Sequence, residues 1–240
     1  MISKIIEIGG PVKFSDQYGE EYHRSDYKFM KPALAEILET RTLKSVVDYI
    51  KSNFDHPADQ ALMVHINHYD NVLVQAPVST PSRVRECFIN CSYAQPAYLR
   101  NYRWGYYYDL ETAKVWLMSG FENNDDKDAV LRLLGSVQDG NVNEATDDGI
   151  SQSVQAKAGI SVSEVMLPSE IKLAPFRTFS EITQPTSKFK FRMKSGAREG
   201  ILPTIALFEA DGGKWEQEAI AAIGQYFKDA DLPDNVTIIA

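Results

Sequence analysis

The strictest pattern in the chain is Lys188-Phe189-Lys190-Phe191-Arg192-Met193-Lys194, in which basic and apolar residues alternate without a break. Successive strand side chains point to opposite faces, so this run predicts a strand with an apolar face inward and a basic face toward water or an acidic partner. The apolar runs Leu62 to Ile66 and Val72 to Ala76 flank Asn67-His68-Tyr69-Asp70-Asn71, whose Asn and Asp residues favour a turn, and together they predict a hairpin. Arg83 to Tyr93 also alternates, with Val84, Glu86, Phe88 and Asn90 opposite Arg85, Cys87, Ile89 and Cys91. It extends the hairpin into a meander. Further strands are expected at 151–158, 170–174, 179–183, 204–209 and 236–239.

Helical spacing marks other segments. Pro32 opens a helical pattern to Glu39, and Thr42 is placed to cap a helix through Ser52 with Leu43, Val46, Val47 and Ile50 on one stripe. Asp109 caps a helix with Leu110, Ala113, Leu117, Met118 and Phe121 on its apolar face and Trp116 on its flank. A shorter helix is expected from Asp126 to Leu134. Another follows Asp211, with Trp215, Ala219, Ile220, Ile223, Tyr226 and Phe227 on one side. Runs of strands with a few amphipathic helices, rather than regular βα alternation, predict an α+β fold with mixed, largely antiparallel sheets. A boundary near residues 140–150 would divide the chain into 1–145, with the meander and helices, and a β-rich 146–240; one continuous domain is the alternative.

At 240 residues, with 44% hydrophobic and 24% charged residues, the chain can bury roughly 70–75% of its unfolded surface without disulfides or a structural metal. Its apolar runs are far shorter than the ~20 residues of a membrane span, and Met1 to Gly10 lack the pattern of a secretory signal. A cytoplasmic location without membrane contact is therefore expected. Cys87 and Cys91 share one strand face too far apart for a comfortable disulfide, and His23, His56, His65 and His68 complete no zinc set, so the cysteines read as buried thiols.

The net charge of −8 is unevenly distributed. Residues 1–120 carry 13 Lys and Arg against 14 Asp and Glu, residues 121–148 carry 2 against 8, and residues 149–240 carry 10 against 11. Without a basic surplus, binding to duplex DNA is not expected.

Arg100-Asn101-Tyr102-Arg103-Trp104-Gly105-Tyr106-Tyr107-Tyr108, with Arg83, Arg85, Tyr93 and Tyr98 upstream, is the most unusual local composition. Arginines among aromatics suit stacking on bases or anchoring a protein partner. Arg83, Arg85, Arg100, Tyr102, Arg103 and Trp104 are the candidate binding residues; a Tyr-rich segment packed on the core is the competing reading. Phe208-Glu209-Ala210-Asp211-Gly212-Gly213-Lys214-Trp215 sets Glu209 and Asp211 where they could hold Mg²⁺, against the simpler reading of a capping Asp in a tight turn. Asp147-Asp148-Gly149 reads as a turn. His65 with His68, and Ser187 with Lys190, point in different directions and form no ligand pair or dyad. No catalytic residue, metal site or cofactor is implied.

Four segments together carry a resemblance: Thr42 to Ser52 (TLKSVVDYIKS), Asp147 to Gln152 (DDGISQ), Pro175 to Phe179 (PFRTF) and Phe208 to Gly213 (FEADGG). In that order the chain resembles uncharacterised phage and prophage proteins, similar in outline to the YfdQ-like proteins. The likeness implies a cytoplasmic phage- or prophage-encoded protein and transfers no catalytic residue. The expected function is non-enzymatic: an accessory protein that binds and assembles with copies of itself, its acidic segment meeting a neighbour's basic strand. The alternatives are a nucleotide or single-strand binder that sequesters a host signal, and a Mg²⁺-dependent enzyme using Glu209 and Asp211. A host protein is a further candidate partner.

Overall fold

The computed structural model describes residues 5–6, 13–15, 21–23, 35–78, 84–138, 141–147, 152–158, 161–167, 170–194 and 203–240. The fold is α+β, as the order of elements predicts. The chain divides into two compact units: residues 1–67, 71–92 and 230–239 form the first, and residues 68–70, 93–229 and 240 form the second. The chain passes through 145–146 without leaving the second unit.

In the first unit, strands β1 (Ile5–Ile6), β2 (Lys13–Ser15) and β3 (Glu21–His23) form a small antiparallel sheet. A five-stranded sheet follows, built from β4 (Leu38–Thr40), β5 (Leu62–His68), β6 (Asn71–Val78), β7 (Arg85–Ser92) and the late strand β15 (Val236–Ile239), in the order β15-β5-β6-β7-β4. The meander of β5, β6 and β7 is as expected; the turn at Tyr69 and Asp70 that joins β5 to β6 is assigned to the second unit. Leu62, Val64, Ile66, Val72, Val74, Ala76, Ile89 and Cys91 are buried along these strands. Helix α1 (Leu43–Ser52) buries Leu43, Val46 and Ile50. Thr42 caps it as the sequence predicts, its hydroxyl accepting from Ser45 N at 3.3 Å. A 3-10 turn (Pro57–Asp59) follows.

The helix expected from Pro32 to Glu39 is not formed over its described part. Residues 35–37 are irregular, and Leu38–Thr40 is the edge strand β4, pairing in parallel with β7. Asn90 Nδ2 donates to the Glu39 carboxylate at 3.0 Å across that pair. A ladder partner supplies what helical propensity alone could not, since tertiary pairing overrides weak local preference.

In the second unit, β8 (Tyr108–Asp109), β12 (Ile171–Leu173), β13 (Ser187–Lys194) and β14 (Thr204–Glu209) form an antiparallel sheet in the order β12-β13-β14-β8. The alternation in β13 is realised: Phe189, Phe191 and Met193 are buried, while Lys188, Lys190 and Lys194 are exposed. A short helix α2 (Ala97–Arg100) precedes α3 (Leu110–Gly120) and α4 (Asp125–Gln138). Helices α3 and α4 share one core with the sheet, in which Leu110, Leu117, Phe121, Val130 and Leu134 meet Leu173, Phe189, Phe191, Ile205 and Leu207. Asp109 caps α3 as expected, accepting from Thr112 N at 2.8 Å. Trp116 belongs to the buried face of α3 and Met118 is 58% exposed, the reverse of the expectation. The cause is angular: Trp116 lies three residues after Ala113 and one before Leu117, inside the stripe that the neighbouring aromatic rings complete.

Helix α4 runs longer than predicted. Its Lys127, on the buried side, donates from Nζ to Phe121 O at 3.0 Å and Asn123 Oδ1 at 2.8 Å. The cation thus satisfies a carbonyl just beyond the C-terminus of α3, where helix dipoles favour positive charge. Strands β9 (Asn141–Asp147), β10 (Gln152–Ala158) and β11 (Ser161–Leu167) form an antiparallel sheet in the order β11-β10-β9; only β10 is anticipated in the sequence. Helix α5 (Lys214–Asp229) buries Trp215, Ala219, Ile223, Gly224 and Phe227. Asp148 and Gly149 lie outside the described residues.

The strand expected at 179–183 is instead an irregular loop knitted by one side chain. Buried Gln184 accepts from Arg177 N at 3.0 Å and Thr178 N at 3.2 Å through Oε1, and its Nε2 donates to Phe179 O at 3.0 Å. A glutamine amide can serve both backbone donors and an acceptor at once, which replaces a sheet ladder.

Candidate functional site

The second unit contains a pocket of about 480 Å³. All its walls belong to that unit. The volume is within the range of small-molecule sites. Aromatic rings dominate: Tyr69, Tyr93, Tyr102, Trp104, Trp116, Phe176 and Trp215, with Arg100, Arg177, Asp70 and Glu209 as the charged groups.

Arg177 is the best-fixed of these. Its side chain is 7% exposed, pairs with the Glu209 carboxylate and donates to Ser187 Oγ. Its guanidinium carbon lies 3.8 Å from the centre of the Trp215 ring. The Tyr69 ring packs on that indole at 4.5 Å between centroids, and Tyr69 O accepts from Thr178 Oγ1. Burial pulls the Arg177 pKa below its ordinary value, and the Glu209 carboxylate opposes that shift. Arginine stays protonated through such shifts, so the pocket wall keeps a fixed cation with its charge balanced.

Two pocket-lining groups hold buried donors with no acceptor among the described residues, Arg177 Nε and Trp116 Nε1. Gly120 shapes the same wall. A Cβ there would come within 2.7 Å of Leu99 Cδ2 and 3.4 Å of Trp116 Nε1, so a side chain would intrude where the rings meet.

The sequence candidates separate. Arg83 lies outside the described residues. Arg85 is in the first unit, exposed, and donates to Ala76 O at 3.3 Å. Arg103 is exposed and does not line the pocket. Arg100, Tyr102 and Trp104 do line it. Arg100 is held by two bonds to Gln95 O, at 3.0 and 3.2 Å. Tyr102 lies almost parallel to Trp116, with 6° between ring planes, and Trp104 packs on Phe189. Both rings therefore serve the core and the pocket together. Burial drives the Tyr102 pKa well above the usual phenol range.

Glu209 is committed to Arg177, and Asp211 through one oxygen only, its Oδ2 being buried without a hydrogen-bond partner among the described residues. Glu209 is neutralised by Arg177, and Asp211 Oδ1 accepts from Gly213 N at 3.0 Å in a turn where Gly212 and Gly213 adopt φ of 68° and 79°. A cation between the two carboxylates would have to displace Arg177. Among the described residues, no group of three or more His, Cys, Asp or Glu side chains is placed to hold a metal ion. Ser187 is buried against Arg177 while Lys190 is exposed on the opposite face, so the pair forms no dyad, as the strand periodicity requires. Cys91 is buried and Cys87 half-buried, both as thiols outside any disulfide, donating to Thr42 O and Ile89 O respectively.

The sequence reading missed Arg177, Trp215 and Tyr69 as pocket residues. A signal was present in Pro175-Phe176-Arg177-Thr178-Phe179, a lone charge inside an apolar segment. Such a charge demands a buried counter-ion, and Glu209 supplies it from 32 residues away.

Fold and site together define an α+β protein with a pocket lined by seven aromatic residues. No protein-family model matches the chain, and neither the curated proteins nor the solved structures contain a significant match to it. Among the described residues, no helix is long and apolar enough to cross a membrane.

Proposed function

We propose that the second unit is a non-catalytic binding module for a mononucleotide or a similar planar, anionic small molecule. The observation that carries this reading is a pocket of about 480 Å³ walled by seven aromatic residues with Arg100 at its edge. Rings suit a base of any identity because every base offers a π-face, and Arg100 supplies charge for a phosphate. Asp70 accepts from sugar hydroxyls. With Glu209 paired to Arg177, that carboxylate does not act as a bare repelling charge, and Asp70 Oδ1 lies 2.7 Å from His68 Nδ1.

Titration calorimetry with a panel of purine and pyrimidine mono-, di- and triphosphates tests the reading. Saturable heat with one member is expected, weakened at least about tenfold in Arg100→Ala, the loss of one charge-assisted contact. No heat with any member leaves the rings as core packing and overturns it.

A second reading keeps self-association as the function. Val115 and Met118, three residues apart on α3, are 53% and 58% exposed. Paired apolar residues on an otherwise polar helix face favour a contact with another copy. Sedimentation at micromolar concentration tests it, and a strict monomer removes it. The resemblance to phage and prophage proteins supports an accessory role in an infected cell for either reading.

A further inference from the structure

We infer that the outer face of the sheet β12-β13-β14-β8 is a binding surface for single-stranded nucleic acid, separate from the pocket. Lys188, Lys190 and Lys194 are exposed along β13 with half-buried Arg192 in register between them, and exposed Lys172 on β12 stands directly across from Lys188. Two-residue steps space these cations about 6.6 Å apart along the strand. That is a row of charges in single file, which matches one flexible polyanion better than a rounded protein surface.

Aromatic rings interleave with the row. Lys190 is paired in register with Phe208, which is 39% exposed, and Lys194 Nζ lies 3.9 Å from the centre of the Tyr107 ring. Tyr106, 58% exposed, packs instead on Tyr108 at 4.9 Å between ring centroids. The segment carrying these tyrosines is held on β14 by Gly105, whose N donates to Leu207 O at 2.8 Å. Gly105 has φ of 74°, and a Cβ there would meet Phe208 at 3.1 Å, so glycine is what lets the rings gather. Cations that track a backbone beside rings on which bases stack are the two components of sequence-tolerant single-strand binding.

The acidic groups near the face are occupied. Glu170 pairs with Lys188 at 3.0 Å at one margin and offsets that one cation, leaving Lys172, Lys190, Arg192 and Lys194 for phosphate. At the other, Asp109 is directed to Thr112 of α3. The acidic turn of α4 in a second copy is the competing occupant, but Asp126 of that turn already accepts from Lys172 N at 2.7 Å. Ionic docking of an acidic helix would also leave Tyr107 and Phe208 unused. A strand of bases uses both.

Fluorescence anisotropy of the full chain with labelled oligo-dT and oligo-U of about 16 nucleotides tests the proposal. Binding is expected at about 50 mM salt and should weaken roughly 50-fold by 200 mM, as four phosphate contacts require. The two oligomers tell whether the 2′-hydroxyl matters. Lys190→Glu combined with Lys194→Glu should cost more than about tenfold, and Phe208→Ala about fivefold or more. These positions are exposed, so the thermal midpoint should hold, and Arg100→Ala should leave this binding intact because the pocket is not involved. Absence of binding at low salt, or unchanged binding after the double charge reversal, overturns the proposal. Self-association that the same reversal abolishes, without oligonucleotide binding, overturns it also and gives the face to a second copy.

Discussion

The guanidinium of Arg177 lies 3.8 Å above the Trp215 indole while the same side chain pairs with Glu209, so one buried cation joins the loop after β12, the end of β14 and the first turn of α5. Neither contact alone offsets the cost of removing an arginine from water. Stacking, the ion pair and the Ser187 bond do so together.

Arg177→Met is therefore expected to lower stability by about 3–5 kcal/mol, because Glu209 is left without its counter-ion in a mostly buried position. Adding Glu209→Gln to that variant should restore part of the loss. Urea denaturation of both singles and the double gives the coupling, and strictly additive values would show that the pair acts independently.

Lys127→Ala removes the donor from Phe121 O and Asn123 Oδ1 and opens space under α4. The expected cost is about 2–3 kcal/mol, in line with hydrogen bonds to a charged group. Lys127→Arg should not restore it, since a planar fork does not fit a site built around a compact ammonium. Thermal unfolding of the two variants checks this.

Asp109→Ala should cost about 1 kcal/mol by stripping the cap from α3. The bonds from Thr112 hold the Asp109 carboxyl below its ordinary pKa. A group depressed in the folded state stabilises above its unfolded pKa, and the contribution fades as the pH falls through the folded value. The difference between wild type and Asp109→Ala should thus be full at pH 7 and shrink on acidification below about pH 4. A constant difference across that range would place the effect outside the carboxylate.

Burial raises the pKa of Tyr102 and Tyr69, and burial with the Asp55 hydrogen bond pushes Tyr49 to about 12. Phenols that hold their protons more tightly when folded stabilise the chain at neutral pH. That contribution is lost as the pH rises above about 10, where the unfolded chain ionises first. Phenolate absorbance should rise in two stages, the second coincident with loss of tertiary circular dichroism, and Tyr102→Phe should reduce that second stage.

Local signals in the sequence were the legible ones. Thr42 and Asp109 cap the helices that their side chains announce, and the alternation of β13 and the hairpin of β5 and β6 follow from periodicity alone. Elements whose stability comes from a distant partner were not legible. Strand β4 exists because β7 offers a ladder, and the 176–184 loop exists because Gln184 satisfies its backbone. Strands β9 and β11 are too polar or too short of clear alternation to stand out from turns. The candidate site was half legible: Arg100, Tyr102 and Trp104 were marked by composition, whereas Arg177 and Glu209 become partners only through the fold. Two segments far apart in the chain, Pro175 to Phe179 and Phe208 to Gly213, meet in that pair.

The parallel pairing of β15 with β5 joins Val236 to Leu62 and Ile239 to His65. During synthesis the five-stranded sheet therefore waits with an open edge until residues 236–239 have left the ribosome, whereas the residues of the second unit's four-stranded sheet emerge earlier. Closure of so long a loop is slow, and a chain stalled before residue 236 would carry β5 as an exposed edge, a template for aggregation rather than a finished sheet.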